Sequence, residues 1–177
     1  MKRVPLNKKS DYIALEKLIS ERLSRRVCSV RFTYPRTLIL SFGTMHDTSW
    51  GVQRGDMEFY LPTRWTLTFK DGTTVSYDAD DWSQTEADVL PAARLLVGSS
   101  VTSVTVHREL LDLSLTFDSG SLLLAIADRA AFRELFTDED DDELECFSIE
   151  EGHEGGWELL VGPRLDYRVG DHGEERS

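Results

Sequence analysis

Two stretches 74 positions apart repeat one alternating pattern, and that repeat constrains the fold of this 177-residue chain more than any other feature. Leu23-Ser24-Arg25-Arg26-Val27-Cys28-Ser29-Val30-Arg31-Phe32 aligns with Val97-Gly98-Ser99-Ser100-Val101-Thr102-Ser103-Val104-Thr105-Val106. One residue is gained in the following turn, and Leu38-Ile39-Leu40-Ser41-Phe42 then aligns with Leu113-Ser114-Leu115-Thr116-Phe117 at an offset of 75. Each copy reads as strand, short turn, strand, with Tyr34-Pro35-Arg36 and Arg108-Glu109-Leu110 as the turns. Apolar side chains at every second position give each strand one buried face. The buried sets are Val27, Val30, Phe32, Leu38, Leu40 and Phe42, then Val101, Val104, Val106, Leu113, Leu115 and Phe117. A one-residue slip would turn all of them to solvent, so the register is strongly specified.

A second correspondence is expected to close each half. Trp65-Thr66-Leu67-Thr68-Phe69, the turn Asp71-Gly72 and Val75-Ser76-Tyr77 form a hairpin signal. Trp157 to Val161, then Gly162-Pro163 and Leu165 to Val169, is its counterpart, with Trp65 and Trp157 both in the core. An insertion separates the hairpins in each half: 43–64, where Glu58 to Leu61 adds a strand, and 119–156. Helices precede the halves. Asp11 to Leu23 places Tyr12, Leu15, Ile19 and Leu23 on one side behind Ser10 as N-cap, and Ser83 to Val97 carries Val89, Ala93 and Leu96 around Pro91. A further short helix is expected over 128–136.

The expected fold is therefore α+β and predominantly antiparallel β. Two related helix–hairpin–hairpin halves pack about a pseudo-twofold axis as one domain. The divisions are a basic N-terminal tail at 1–10, a first half at 11–90, a second half at 91–170 with an acidic insertion at 137–156, and a C-terminal tail at 171–177.

The run Arg25 to Val30, the strand Leu38-x-Leu40-x-Phe42-Gly43, Gly98-x-x-Val101-Thr102-Ser103-Val104 and Trp157-Glu158-Leu159 resemble a bacterial group of uncharacterised proteins that share a domain of unknown function. The resemblance spans most of 18–170. It implies a small bacterial protein, and it supplies no activity, cofactor or catalytic residue.

Charge divides where the repeat divides. Residues 1–90 hold 13 basic and 12 acidic groups, a balance of +1, whereas residues 91–177 hold 7 and 20, a balance of −13. Seven of those carboxylates are Asp138, Glu139, Asp140, Asp141, Asp142, Glu143 and Glu145. Asp138, Asp140 and Asp142 occupy the first, third and fifth positions of a calcium loop, but Glu143 stands where that loop needs glycine and Ile149 where it needs glutamate. Weak divalent binding stays open, and like charges this close most commonly form a solvated loop; the functional reading of the run is a docking surface for a basic protein, where carboxylates speed association by steering. Nucleic acid and anionic membrane are repelled by the same field. Outside the N-terminal Lys2, Arg3, Lys8 and Lys9, expected to be a frayed terminus, no basic stripe occurs.

No catalytic, cofactor or metal motif emerges. There is no Gly-x-Ser-x-Gly, no glycine-rich phosphate loop after a strand, and no metal spacing around Cys28 and Cys146, read as small core residues. His46, His107, His153 and His172 lack helical partners and are expected in solvated loops. Trp50 and Trp82 stand in polar loop sequence and are expected to pack over a sheet edge. With no signal peptide and no apolar run of about 20 residues, the chain reads as a cytoplasmic protein. The leading functional expectation is a non-enzymatic protein-binding module, of the immunity or antitoxin sort, that covers a basic partner with its acidic second half. A small-molecule binder or enzyme with its site between the halves is the alternative. A structural subunit, including a homodimer, is the third.

Overall fold

In the computed structural model, which describes residues 2–33, 36–62, 64–78, 81, 83–108, 111–127, 146–152, 157–162 and 166–171, the alternating segments are antiparallel strands of two main sheets. Around them stand two helices, α1 (Lys9–Arg22) and α2 (Glu86–Ala93). The first alternating stretch forms β2 (Val27–Thr33) with β3 (Thr37–Phe42), and the second forms β9 (Val101–Val106) with β10 (Leu113–Phe117). Val30 stands opposite Leu40 and Val104 opposite Leu115, so the two hairpins share one register. Each ladder also skips one residue at the same place, Cys28 in β2 and Thr102 in β9.

The turns match as well. Arg36 N–H donates to Thr33 C=O at 2.8 Å and Leu111 N–H to His107 C=O at 2.7 Å. Arg36 and Leu111 have φ of 77° and 62°. A left-handed residue with a side chain persists where its surroundings hold it. Arg36 is held by its guanidinium, which donates to Tyr77 Oη at 2.8 Å and to the carbonyls of Asp81 and Gln84 at 2.8 and 2.9 Å. Leu111 is held by complete burial. The hairpins meet end to end: Arg26 pairs with Ser100, Val27 N–H donates to Ser99 C=O at 2.8 Å, and Gly98 N–H donates to Val27 C=O at 2.8 Å.

The remaining strands are β1 (Lys2–Pro5), β4 (His46–Asp47), β5 (Gln53–Arg54), β6 (Met57–Leu61), β7 (Arg64–Thr68), β8 (Thr74–Tyr77), β11 (Leu122–Ile126), β12 (Phe147–Glu151), β13 (Trp157–Gly162) and β14 (Asp166–Asp171). The seven-stranded sheet runs β1-β14-β13-β12-β6-β3-β2 and the five-stranded sheet β8-β7-β11-β10-β9, while β4 and β5 form a separate ribbon. Both main sheets draw strands from either side of residue 90. The helices cross over too: α1 packs on β9 and α2 on β2. Glu16 of α1 accepts from Val106 N–H at 2.9 Å and Tyr12 Oη donates to Arg108 C=O at 2.7 Å, which closes part of the free edge of β9.

Three sequence expectations change. Lys2–Pro5, read as part of a frayed tail, is the edge strand beside β14. Ser10 lies inside α1 rather than capping it, because Asp11 reaches back to the amides of Asn7 and Lys8 at 2.9 and 2.8 Å. Trp65 and Trp157 are both buried but do not hold matching places. Counted outward from the matched hairpins, β7 is fourth in its sheet and β13 is fifth. The helix expected at 128–136 and the residues after Asp171 lie outside the described residues.

One core joins the two sheets. Phe32 of the seven-stranded sheet meets Tyr77 edge-on at 5.2 Å, and Tyr77 stacks on Trp65 at 5.7 Å in the five-stranded sheet. Leu115 is fully buried whereas Leu122 is 39% exposed. Leu115→Ala should therefore cost about 2–5 kcal/mol in urea unfolding, and Leu122→Ala under about 1 kcal/mol.

Candidate functional site

Both faces of β3 are buried, although its alternation calls for one. Leu38, Leu40 and Phe42 face the core and Thr37, Ile39 and Ser41 lie on the other face, which is the outer face of the seven-stranded sheet. Cross-strand pairing runs a polar row over that face: Ser29, Ser41, Glu58, Glu150 and Glu158 on five neighbouring strands. Beside it runs a second row of Arg31, Ile39, Tyr60 and Ser148.

Glu58 is fully buried. A buried carboxylate survives only when its lone pairs are filled and its charge is balanced. Arg31 grips it with both terminal nitrogens, one of them at 3.0 Å from Oε1. Ser41 Oγ donates to Oε1 at 2.8 Å, Gly55 N–H to Oε1 at 3.1 Å, and Tyr60 Oη to Oε2 at 3.1 Å. Burial opposes the charge, but the Arg31 hydrogen bonds and charge, with Ser41 and Gly55, outweigh it and hold the pKa of Glu58 below the ordinary glutamate value. For Tyr60, burial and the nearby charges of Glu150 and Glu58 push the phenol well above its usual pKa, which keeps it a donor. Glu150 moves the opposite way from Glu58. Burial and the neighbouring Glu158 raise its pKa, and Arg54, 3.6 Å away, opposes them incompletely.

Next to Glu58 the chain makes a tight passage. A Cβ on Gly55 would stand 2.7 Å from Phe42 C=O, and one on Gly152 would stand 1.8 Å from Gly55 C=O, so both positions admit only glycine. Asp56 follows, and its carboxylate ties three segments: it accepts from Thr44 N–H at 2.7 Å, contacts His46 Nε2 at 2.7 Å and pairs with Arg25. Burial resists this charge, yet the Thr44 amide, His46 and Arg25 bring its pKa down to about 2. His46, expected in a solvated loop, is thus half-buried against a carboxylate.

Between Asp56 and β3 projects the ribbon of β4 and β5. Its turn closes through Gly51 N–H to Thr48 C=O and Thr48 N–H to Val52 C=O, each at 3.0 Å, with Gly51 at φ 73°, a conformation that glycine adopts without strain. At the tip, Trp50 is 86% exposed. The expectation that it packs over a sheet edge is overturned, because at that exposure the indole makes little contact with the sheet. Under the ribbon lies a cleft of about 360 Å³, lined among the described residues chiefly by Arg31, Ile39, Trp50, Val52, Arg54 and Tyr60. A second groove of about 290 Å³ lies by Arg22, Arg25, Asp56 and Glu151 and is polar.

The acidic run assigned from sequence, Asp138 to Glu145, falls outside the described residues, as do His153, His172 and Trp82. Cys28 and Cys146 carry free thiols, the latter buried. His107 touches Ser114 Oγ at 3.2 Å on an exposed surface. Among the described residues no group of His, Cys, Asp or Glu is arranged to hold a metal ion, and no helix is long and apolar enough to cross a membrane. The sequence did not single out Arg31, Arg54, Glu58 or Glu150. The signal available was a charged residue at an alternate position of strands otherwise rich in Leu, Ile and Phe.

Removing Arg31 leaves the fully buried Glu58 carboxylate uncompensated, so Arg31→Met should destabilise the fold by about 3–5 kcal/mol, read from the urea midpoint. Two opposed pH dependences follow from the pKa directions. Stability from Glu58 and Asp56 is present above their unfolded values, about 4.3 and 3.9, and is lost as pH falls through the lower folded values, near 2 for Asp56. The Glu150 contribution is present below its unfolded value and is lost as pH rises through the higher folded one. Melting curves at several pH values should therefore show Glu150→Gln gaining on the wild type as pH rises from about 4 to 7.

Comparison with protein-family models, with curated proteins and with solved structures finds no match to this chain.

Proposed function

We propose that the chain is a non-enzymatic protein-binding module, of the immunity or antitoxin sort, that recruits a basic partner with its acidic second half and anchors it on Trp50. The observation that carries this reading is the 86% exposure of Trp50 on a hydrogen-bonded turn. An indole held in water at that exposure forgoes burial worth several kcal/mol, while tryptophan is among the side chains most enriched at interface hot spots. Its ring face attracts lysine and arginine, the groups that a basic partner presents. The −13 balance of residues 91–177 adds long-range attraction for such a partner.

The same proposal covers the history of the fold. Shared register, shared bulge position and paired positive-φ turns support a duplication, with two halves related by a pseudo-twofold axis that have exchanged strands and helices. On this reading the acidity was acquired by the second copy alone.

Anchor and field act on different rate constants. The test is affinity capture from bacterial lysate followed by binding kinetics on the captured protein. Trp50→Ala should weaken the complex at least about tenfold, mainly through faster dissociation. Replacing Asp138 to Glu145 by their amides should slow association and flatten its salt dependence. Failure to capture a salt-sensitive partner, or a captured partner indifferent to both changes, would overturn the proposal.

A further inference from the structure

We propose that the cleft beneath the Trp50 ribbon binds a small organic carboxylate with a flat apolar body, held through Arg54; this goes beyond the protein-binding reading and does not depend on it. The cleft, at about 360 Å³, falls at the low end of the 300–1,000 Å³ typical of small-ligand sites. Its described lining contains two guanidinium groups and no carboxylate. Any anion bound there would be held by a guanidinium, although both arginines already face carboxylates, Arg31 that of Glu58 and Arg54 that of Glu150.

The two arginines differ in what they have left to give. Arg31 is committed: it spends its terminal nitrogens on Ser41 Oγ at 2.9 Å and on both oxygens of Glu58, which cancels the charge of each partner. The Arg54 backbone is paired with His46 in the ribbon, but its guanidinium makes no hydrogen bond among the described residues, and its one ion pair there, to Glu150, is 3.6 Å long. A guanidinium carries five donors in a planar fork, so Arg54 retains an edge that fits a carboxylate with two parallel hydrogen bonds. Glu150 holds the other side of the same group, which limits how far the fork can swing. A single available cation beside that glutamate matches a monoanion better than a phosphate dianion, which would also meet repulsion from Glu150.

The rest of the lining sets the body of the ligand. Ile39 is buried in the sheet, Val52 is 49% exposed in the turn just before β5, and the Trp50 indole is 86% exposed at the rim. A planar apolar group placed there covers exposed Val52 and Trp50 and stacks on the indole, while Tyr60, fixed as a donor to Glu58, limits the depth. The ribbon is tied at its base by Asp56 to Thr44 and His46, so the cleft is formed before any ligand arrives.

The test is an NMR titration of the full chain labelled with nitrogen-15, using sodium phenylacetate as probe against phenylacetamide and phenethylamine, which carry the same ring with a neutral or cationic head. Phenylacetate should shift the Trp50 indole N–H and the amides of Arg54 and Gly152 saturably, with the other two probes at least about tenfold weaker. Arg54→Gln should cut phenylacetate affinity by the same factor while leaving capture of a protein partner intact, and Arg54 is exposed enough for the variant to fold. Equal binding of the amide or the amine, unchanged affinity in Arg54→Gln, or shifts confined to other surfaces would overturn the proposal, as would absence of saturable shifts. Trp50→Ala should weaken the probe as well; if it does not, the indole is no part of the site and the proposal fails in that form.

Discussion

The buried pair of Arg31 and Glu58 decides what the outer face of the seven-stranded sheet can be. Glu58 lies on β6, between β3 and β12. Its four donors come from four places: Arg31 on β2, Ser41 on β3, Gly55 in the loop before β6, and Tyr60 two residues along the same strand. Such a pair contributes little net stability compared with apolar side chains of the same volume, because desolvating two charges costs about as much as their attraction returns. What it fixes is arrangement. A slip of one residue in β6 would drive Glu58 into the core and bring Phe59 out, so the carboxylate penalises every wrong register that the leucines alone would only discourage.

The constraint passes from the sheet to the ribbon by direct contact. To donate to Glu58, the Gly55 amide must lie against the sheet, which puts the Gly55 backbone where no Cβ is tolerated and where Gly152 packs on its carbonyl. Asp56 is then forced outward into reach of Thr44, His46 and Arg25. Those three contacts anchor the base of β4 and β5, and the Gly51 turn completes the far end. Trp50 is therefore exposed at the tip of an element braced at both ends, and ordering entropy that a loose loop would lose on binding has already been lost in folding.

How far the sequence reveals this depends on the range of the interaction. The hairpin registers were legible because alternation is local: Val30 and Leu40, Val104 and Leu115 face the core as the period-2 pattern requires. The buried face of α1, with Tyr12, Leu15 and Ile19, was legible for the same reason at the helical period. β11 was absorbed into an insertion because Leu122 to Ile126 is apolar throughout and carries no period. β1 was missed because Lys2–Pro5 is short and basic, and only pairing with β14, more than 160 residues away, makes it a strand. The site was the least legible part. Alternation assigns Ser41 and Glu58 to solvent, and nothing local says that Arg31, 27 residues earlier, will meet Glu58. His46 and Asp56 likewise become partners only when the ribbon folds between them.

The five-stranded sheet shows that this polar arrangement is not needed to build the hairpin plan. Matching registers place Leu122 where the first copy has Glu58, and Thr105 where it has Arg31. There the outer face carries mainly hydroxyl and aliphatic side chains and is partly solvated: Thr105 is exposed, Leu122 is 39% exposed, the strand neighbours Thr66 and Ser76 share a hydroxyl contact at 3.0 Å, and the charge at its margin, Arg64, is half-buried and paired with Asp78 at 2.9 Å. Val104 and Leu115 still pair across β9 and β10, with the bulge at the matching position and a positive-φ residue closing a turn one residue longer. A sheet that folds with Leu122 at the matched position has no structural call for a buried carboxylate there. The five-residue polar row, the glycine passage and the braced tryptophan occur together on one face of one sheet, and their cost in desolvation and backbone restriction is met only there. Stability does not require that concentration, which sets the outer face of the seven-stranded sheet apart from the hairpin core it shares with its counterpart.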